Sequence, residues 1–128
     1  MSTGRRQARR TAFFLLYQLD VTGQPLGSLY EGDIDPYAQE LAEGVAGRAA
    51  ELDAAISAAA TDWTADRLGA VERNVLRIAL YELDEGLVPT EVAIDEAVRL
   101  AKRYATEEAA RLINGILGRI VRERTAAR

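Results

Sequence analysis

Apolar residues recur at three- and four-residue intervals along most of this chain, the spacing that gathers them on one face of an α-helix. The pattern is densest in residues 71–83, VERNVLRIALYEL. Val71, Val75, Ala79 and Leu83 make one row, Leu76, Leu80 and Leu87 a second beside it, and Ile78 and Tyr81 widen the arc. Two adjacent rows are more than a lone surface helix needs, so this helix is expected at the centre with partners on most sides. Glu72, Arg73, Asn74, Arg77, Glu82 and Asp84 are the positions left for water. Gly86 ends the helix and Pro89 blocks its continuation.

Around that centre the same periodicity predicts further helices. Residues 5–22 form the first, with Ala8, Ala12, Leu15, Leu16 and Leu19 inward and Phe13 or Phe14 widening the stripe. Residues 23–35 are a loop broken by Gly23, Pro25, Gly27 and Gly32. Its acids, Glu31, Asp33 and Asp35, lack calcium-loop spacing and read as solvated. Asp35 followed by Pro36 is a helix start, a cap and then a proline in the first turn. From Pro36 to about Ala60 the stripe is Leu41, Val45, Ala49, Leu52 and Ile56. Gly44 and Gly47 each cost about 1 kcal/mol against alanine inside a helix, which implies a close helix contact or a break near Gly47–Arg48. Residues 61–64 read as a linker whose Trp63 plugs the seam between two halves of the chain. Thr64 or Asp66 then caps a short turn through Leu68, ended by Gly69.

In the second half, Val92, Ala93, Ala97, Leu100, Ala101 and Tyr104 mark another helix. Its exposed side carries Glu91, Asp95, Glu96, Arg99, Lys102 and Arg103, acids early and bases late as the helix dipole prefers. Thr106 caps the last helix, with Glu107 and Glu108 in its first turn. Leu112, Ile113, Ile116, Leu117, Ile120 and Val121 are its stripe; Gly115 and Gly118 imply close packing, and the tail from Arg122 onward is expected to fray. The fold expected is all-α: one domain over residues 1–128, with a front half of about 1–62 and a back half of about 63–128.

Composition narrows the chemistry. The sequence has no cysteine and no histidine, which removes disulfides, thiolate and imidazole metal sites, and the commonest general base and nucleophile. No metal or cofactor is expected. Adjacent carboxylates such as Glu107/Glu108, Asp95/Glu96 and Asp84/Glu85 diverge by about 100° on a helix and do not converge on a substrate. No glycine-rich phosphate loop with a lysine is present. The expectation is a protein that binds rather than catalyses. No run approaches the roughly 20 apolar residues of a membrane span. The basic-then-apolar start lacks a cleavage site and is closed early by Asp20, so it reads as the first helix of a cytoplasmic protein.

Charge is unevenly placed. The net value is −4, yet residues 1–12 hold Arg5, Arg6, Arg9 and Arg10 without an acid. These arginines fall in the first two turns of a helix, where the dipole is positive and exposed cations are unfavourable by some tenths of a kcal/mol each. They read either as a solvated charged helix end or, the favoured reading, as waiting for an anion, an RNA or DNA backbone, across one broad face. Gln7 and Tyr17 stand nearby to meet bases by hydrogen bonding or stacking.

RRQARRTAFFLLYQLD at the start, VERNVLRIALYEL in the middle and VPTEVAIDEAVRLAKRYATEEAARLINGILGRI towards the end resemble the NusB family of transcription antitermination factors. The likeness covers nearly the whole chain and is weakest in the loop 23–35. It implies two small helical bundles packed side by side, without enzymatic activity. It further implies binding of boxA RNA in ribosomal RNA leaders together with the ribosomal protein NusE. The pair is expected to join RNA polymerase with NusA and NusG and to help it resist termination. The RNA surface maps by resemblance to Arg5, Arg6 and Arg9. Tyr17 and Glu72 match positions near the RNA or partner surface, and Glu108 and Leu112 fall where partner contacts are expected. Gln7 interrupts the arginine run and weakens the basic patch. Monomer and homodimer both remain open. A related domain forms the N-terminal part of a ribosomal RNA cytosine methyltransferase; no methyl-donor domain is read in these 128 residues, so that activity is not expected here. The alternative of another class is a helical protein-interaction module or homodimeric scaffold with no RNA role.

Overall fold

The computed structural model describes residues 2–60 and 67–127, with side chains from Gly4 onward. The linker reading of 61–64, the Trp63 plug and the Thr64 or Asp66 cap lie outside the described residues. The helices are α1 (Ser2–Thr22), α2 (Pro36–Gly47), α3 (Ala49–Ala59), α4 (Ala70–Glu85), α5 (Thr90–Tyr104) and α6 (Glu107–Ala126). A short 3-10 turn, Leu26–Leu29, interrupts the loop after α1.

The density of apolar positions in α4 has the expected result. This helix packs against α1, α2, α3, α5 and α6, and its Val75, Leu76, Ile78 and Leu80 are sealed from solvent. One continuous core joins the front and back helices, with Phe13, Leu16, Leu41, Leu52 and Ile56 meeting Ile113 and Leu117 around it. Burying each such side chain contributes about 1.5–3 kcal/mol.

Local signals place the helix ends. Asp35 accepts from the backbone N–H groups of Tyr37 and Ala38 at 2.8 and 3.2 Å. Thr106 Oγ1 accepts from Ala109 N–H at 2.9 Å. Gly86 closes α4 in the left-handed region, at φ 62°, where its missing Cβ removes the strain any other residue would feel. The break expected in 36–60 falls at Arg48, between α2 and α3. Gly44 is the close approach that the sequence implied, because a Cβ there would fall on the Tyr81 ring.

Of the two phenylalanines open for the stripe of α1, Phe13 takes the place: it is buried and Phe14 is 45% exposed. Other sequence expectations are corrected. Gly115 and Gly118 mark no tight packing, since a Cβ would meet nothing at the first and only the Arg122 guanidinium at the second. The last helix continues through Ala126 instead of fraying from Arg122. Val92 is exposed, and Glu96, assigned to the outer face of α5, is buried.

The largest correction concerns the polar residues of α4. Asn74 and Glu82 are fully buried, not turned to water. Each is held by a partner from another helix, and Asn74 by its own helix as well. Asn74 donates to Asp20 at 3.0 Å and to the Ala70 carbonyl at 2.8 Å. Arg73 also donates to Asp20, and Arg77 forks onto Asp53 with two bonds of 2.7 Å. Among the described residues no buried side-chain polar atom lacks a partner, the condition under which such groups are tolerated inside.

Candidate nucleic-acid interface

A helix turns 100° per residue, so the four arginines of α1 cannot all face one way. Arg5 swings toward α2, its guanidinium 4.3 Å from the centre of the Tyr37 ring and its Nη1 donating to the Leu87 carbonyl at 2.9 Å. Arg6 donates through Nε to Glu96 of α5 at 2.7 Å and keeps its side chain 47% exposed. Arg10 is half-buried and donates to Gln7 at 2.7 Å, so the glutamine that interrupts the run orients one of its members.

Arg9 points inward. It is 3% exposed and forks onto Glu82 through Nε and Nη2, at 2.9 and 2.7 Å. Tyr37 donates to the same carboxylate at 2.5 Å. Burial alone would lower the Arg9 pKa, but the hydrogen bond and charge of Glu82, with Tyr37 and Glu96, hold it above its ordinary value. The placement of Arg9 on a solvent-facing surface is therefore corrected: its fork is consumed inside the protein, binding α1 to α4.

Burial, followed by the hydrogen bond and charge of Glu82, pushes the Tyr37 phenol above its ordinary value of 10.0. A raised pKa means the folded state holds the proton more tightly than the unfolded chain. The resulting stabilisation is complete below about 10 and is lost as pH climbs through the folded value. Tyr37→Phe is expected to flatten the alkaline limb of stability against pH. At pH 7 it should cost about 1.5–3 kcal/mol for the lost bond to a charged acceptor, read by chemical denaturation at each pH. An unchanged alkaline limb would remove Tyr37 from the network.

What remains of the basic run opens onto a cleft of about 600 Å³ between α1 and α5. Arg6 and Arg10 line it from α1, together with Arg9, whose fork is turned inward to Glu82, and Asp95, Glu96, Arg99, Lys102 and Arg103 line it from α5. The cations of α5 are the residues that sequence reasoning missed. Read from sequence, they are complements to the helix dipole. Their four-residue spacing, Arg99 to Arg103 with Lys102 beside it, is the available signal, but only the packing of both α1 and α5 on α4 brings them to the same cleft as the arginines.

An aromatic strip adjoins the cleft. Arg103 lies 5.6 Å from the Tyr104 ring centre, Tyr104 stacks on Phe13 at 5.4 Å, and Phe14 meets it edge-on at 5.2 Å. Tyr17, 37% exposed, stands one turn along with its ring 6.3 Å from Phe13. Phe14 and Tyr17 are thus exposed aromatic rings on α1, the helix that carries Arg6 and Arg10, and bases can stack on such rings without sequence preference.

The residues expected at a partner surface lie elsewhere. Glu72 is half-buried in the first turn of α4, its carboxylate lying over Gly69. Glu108 is exposed in the first turn of α6, and Leu112, one turn on, is half-buried against the core. Among the described residues no cluster suited to a metal ion occurs and no helix is long and apolar enough to cross a membrane.

Fold and cleft together define a small all-helical protein that fixes cations along a groove beside exposed aromatic rings. A profile of the NusB family matches residues 6–122, and the chain belongs to that family. The transcription antitermination protein NusB of Rubrobacter xylanophilus is 44% identical over 120 residues, spanning 88% of this chain and 86% of the relative. The Salinispora tropica protein of the same name is 40% identical over 129 residues, spanning 91% and 93%. Among solved structures, a chain in the crystal structure of antitermination factors NusB and NusE in complex with dsRNA has a TM-score of 0.83. It shares 31% identity, with 96% of this chain and 99% of that one covered. A T. maritima NusB has a TM-score of 0.81 at 37% identity, covering 93% and 91%.

Proposed function

We propose that this chain is a transcription antitermination factor that binds boxA RNA of ribosomal RNA leaders together with NusE. In this reading it joins RNA polymerase with NusA and NusG and helps the enzyme resist termination. The observation that carries it is the cleft of Arg6, Arg10, Arg99, Lys102 and Arg103 on a chain whose net charge is −4. An anionic protein that concentrates cations in one groove has a place for a polyanion. Arg5, Arg6, Arg10 and Tyr17 are assigned to RNA, joined by Arg99, Lys102, Arg103 and Phe14. Arg9 is assigned to the scaffold. Glu72, Glu108 and Leu112 are assigned to the protein partner. The chain acts by binding, within the cytoplasm, as one helical domain.

The test is a titration with a boxA-like single strand, with and without NusE, across a range of salt concentrations. Binding is expected to tighten with NusE, and log K to fall linearly with log salt. Affinity for a protein partner without any for RNA would instead identify a helical interaction module. Sedimentation in the same mixtures separates a monomer from a homodimer.

A further inference from the structure

The cleft contains its own anion. Glu96 is 8% exposed, on the wall of a groove that holds one other carboxylate, Asp95, among its cations. Its Oε1 accepts from Arg6 Nε at 2.7 Å, and its Oε2 lies 3.6 Å from Arg99 Nε and 3.9 Å from Arg9 Nη1. Its part in holding the buried Arg9 charged is the smaller one, because Glu82 already engages that fork with two bonds. Arg99 has little need of it, since its side chain is 59% exposed and well hydrated. Its one short bond goes to Arg6, and among the described hydrogen bonds that bond uses only the Nε edge of the guanidinium.

Two physical effects follow from that position. A negative charge within about 4 Å of the groove's cations lowers the field any incoming phosphate feels, whatever its sequence. Anchoring Arg6 by one edge also fixes the direction in which its remaining donors meet a ligand, and this benefits a ligand of one shape. The first effect lowers affinity for all polyanions; the second returns affinity only to a ligand that fits.

We propose that Glu96 is a selectivity residue, restraining the cleft's affinity for arbitrary RNA while positioning Arg6 for the RNA that fits. This rests on the RNA reading given above, and adds that discrimination is built in by a fixed carboxylate. Glu96→Gln keeps an oxygen for Arg6 and removes the charge. Its expected effect is to raise affinity for a random-sequence RNA roughly fivefold, the weight of one unit charge at about 4 Å in a water-like medium. Affinity for a boxA-like strand of equal length should rise less, so the ratio between the two falls. Glu96→Asp keeps the charge but shortens the reach. It should leave random-RNA binding at the wild-type level and weaken boxA binding. Thermal melting of the same samples checks that each variant is folded, and the aspartate variant carries the test if the glutamine variant is not. An E96Q protein that shifts both RNAs by the same factor, or shifts neither, overturns the selectivity role while leaving the RNA reading intact. A wild-type protein that binds neither RNA overturns both.

Discussion

Arg9→Ala is expected to lower the unfolding free energy by about 3–5 kcal/mol, the usual consequence of removing one partner of a buried ion pair. Glu82 is fully enclosed. Without the guanidinium, its carboxylate would keep only the Tyr37 hydroxyl as a donor among the described bonds. Such a loss corresponds to a melting temperature lower by on the order of 10–20 °C for a chain of this size. Arg9→Lys should fall between, since an ammonium keeps the charge and cannot reproduce the two-pronged bond. Chemical denaturation read by circular dichroism measures both. A stable Arg9→Ala protein with impaired RNA binding would return this residue to the ligand surface.

The second large effect belongs to the cleft. The triple variant Arg6→Ala, Arg10→Ala, Arg103→Ala should bind boxA-like RNA at least a hundredfold more weakly. Its log–log salt slope should be shallower by about 2, from three phosphate contacts at roughly 0.7 each on a single strand. Melting should change by only a few degrees, because Arg6 is itself about half exposed and the Glu96 it leaves still has Arg99 and Arg9 at 3.6 and 3.9 Å to balance its charge. The contrast with Arg9 is the point of the experiment. Neighbouring members of one arginine run are expected to affect different observables. Equal losses of stability and affinity in both variants would mean that α1 is a single structural unit with no separate binding face.

Helix periodicity made the scaffold readable in advance. The apolar rows of α4, the break at Arg48, the caps at Asp35 and Thr106 and the closure at Gly86 all follow from short-range rules, and the structure contains each of them. Polar positions were harder, for a physical reason. A hydropathy pattern assigns Glu82, Asn74 and Glu96 to water because it prices each residue alone, whereas burial is decided by partners distant in sequence. Glu82 meets Arg9 across 73 positions, and Glu96 meets Arg6 across 90. The same blindness hid half of the cleft. Nothing local distinguishes a lysine that complements its own helix end from one that also faces a neighbouring helix.

The way Arg9 is fastened has a consequence for how quickly a ligand can be captured. An arginine-rich arm that folded only on meeting RNA would surrender backbone freedom on docking, about 1–2 kcal/mol for every residue ordered. Here the first helix is already wound and tied to α4 through Glu82. Docking then freezes only the rotamers of the groove's side chains, a loss of about 0.5–1.5 kcal/mol each. A preformed receptor of this kind favours rapid, electrostatically guided encounters, so that complexes of different RNAs should differ mainly in how long they last.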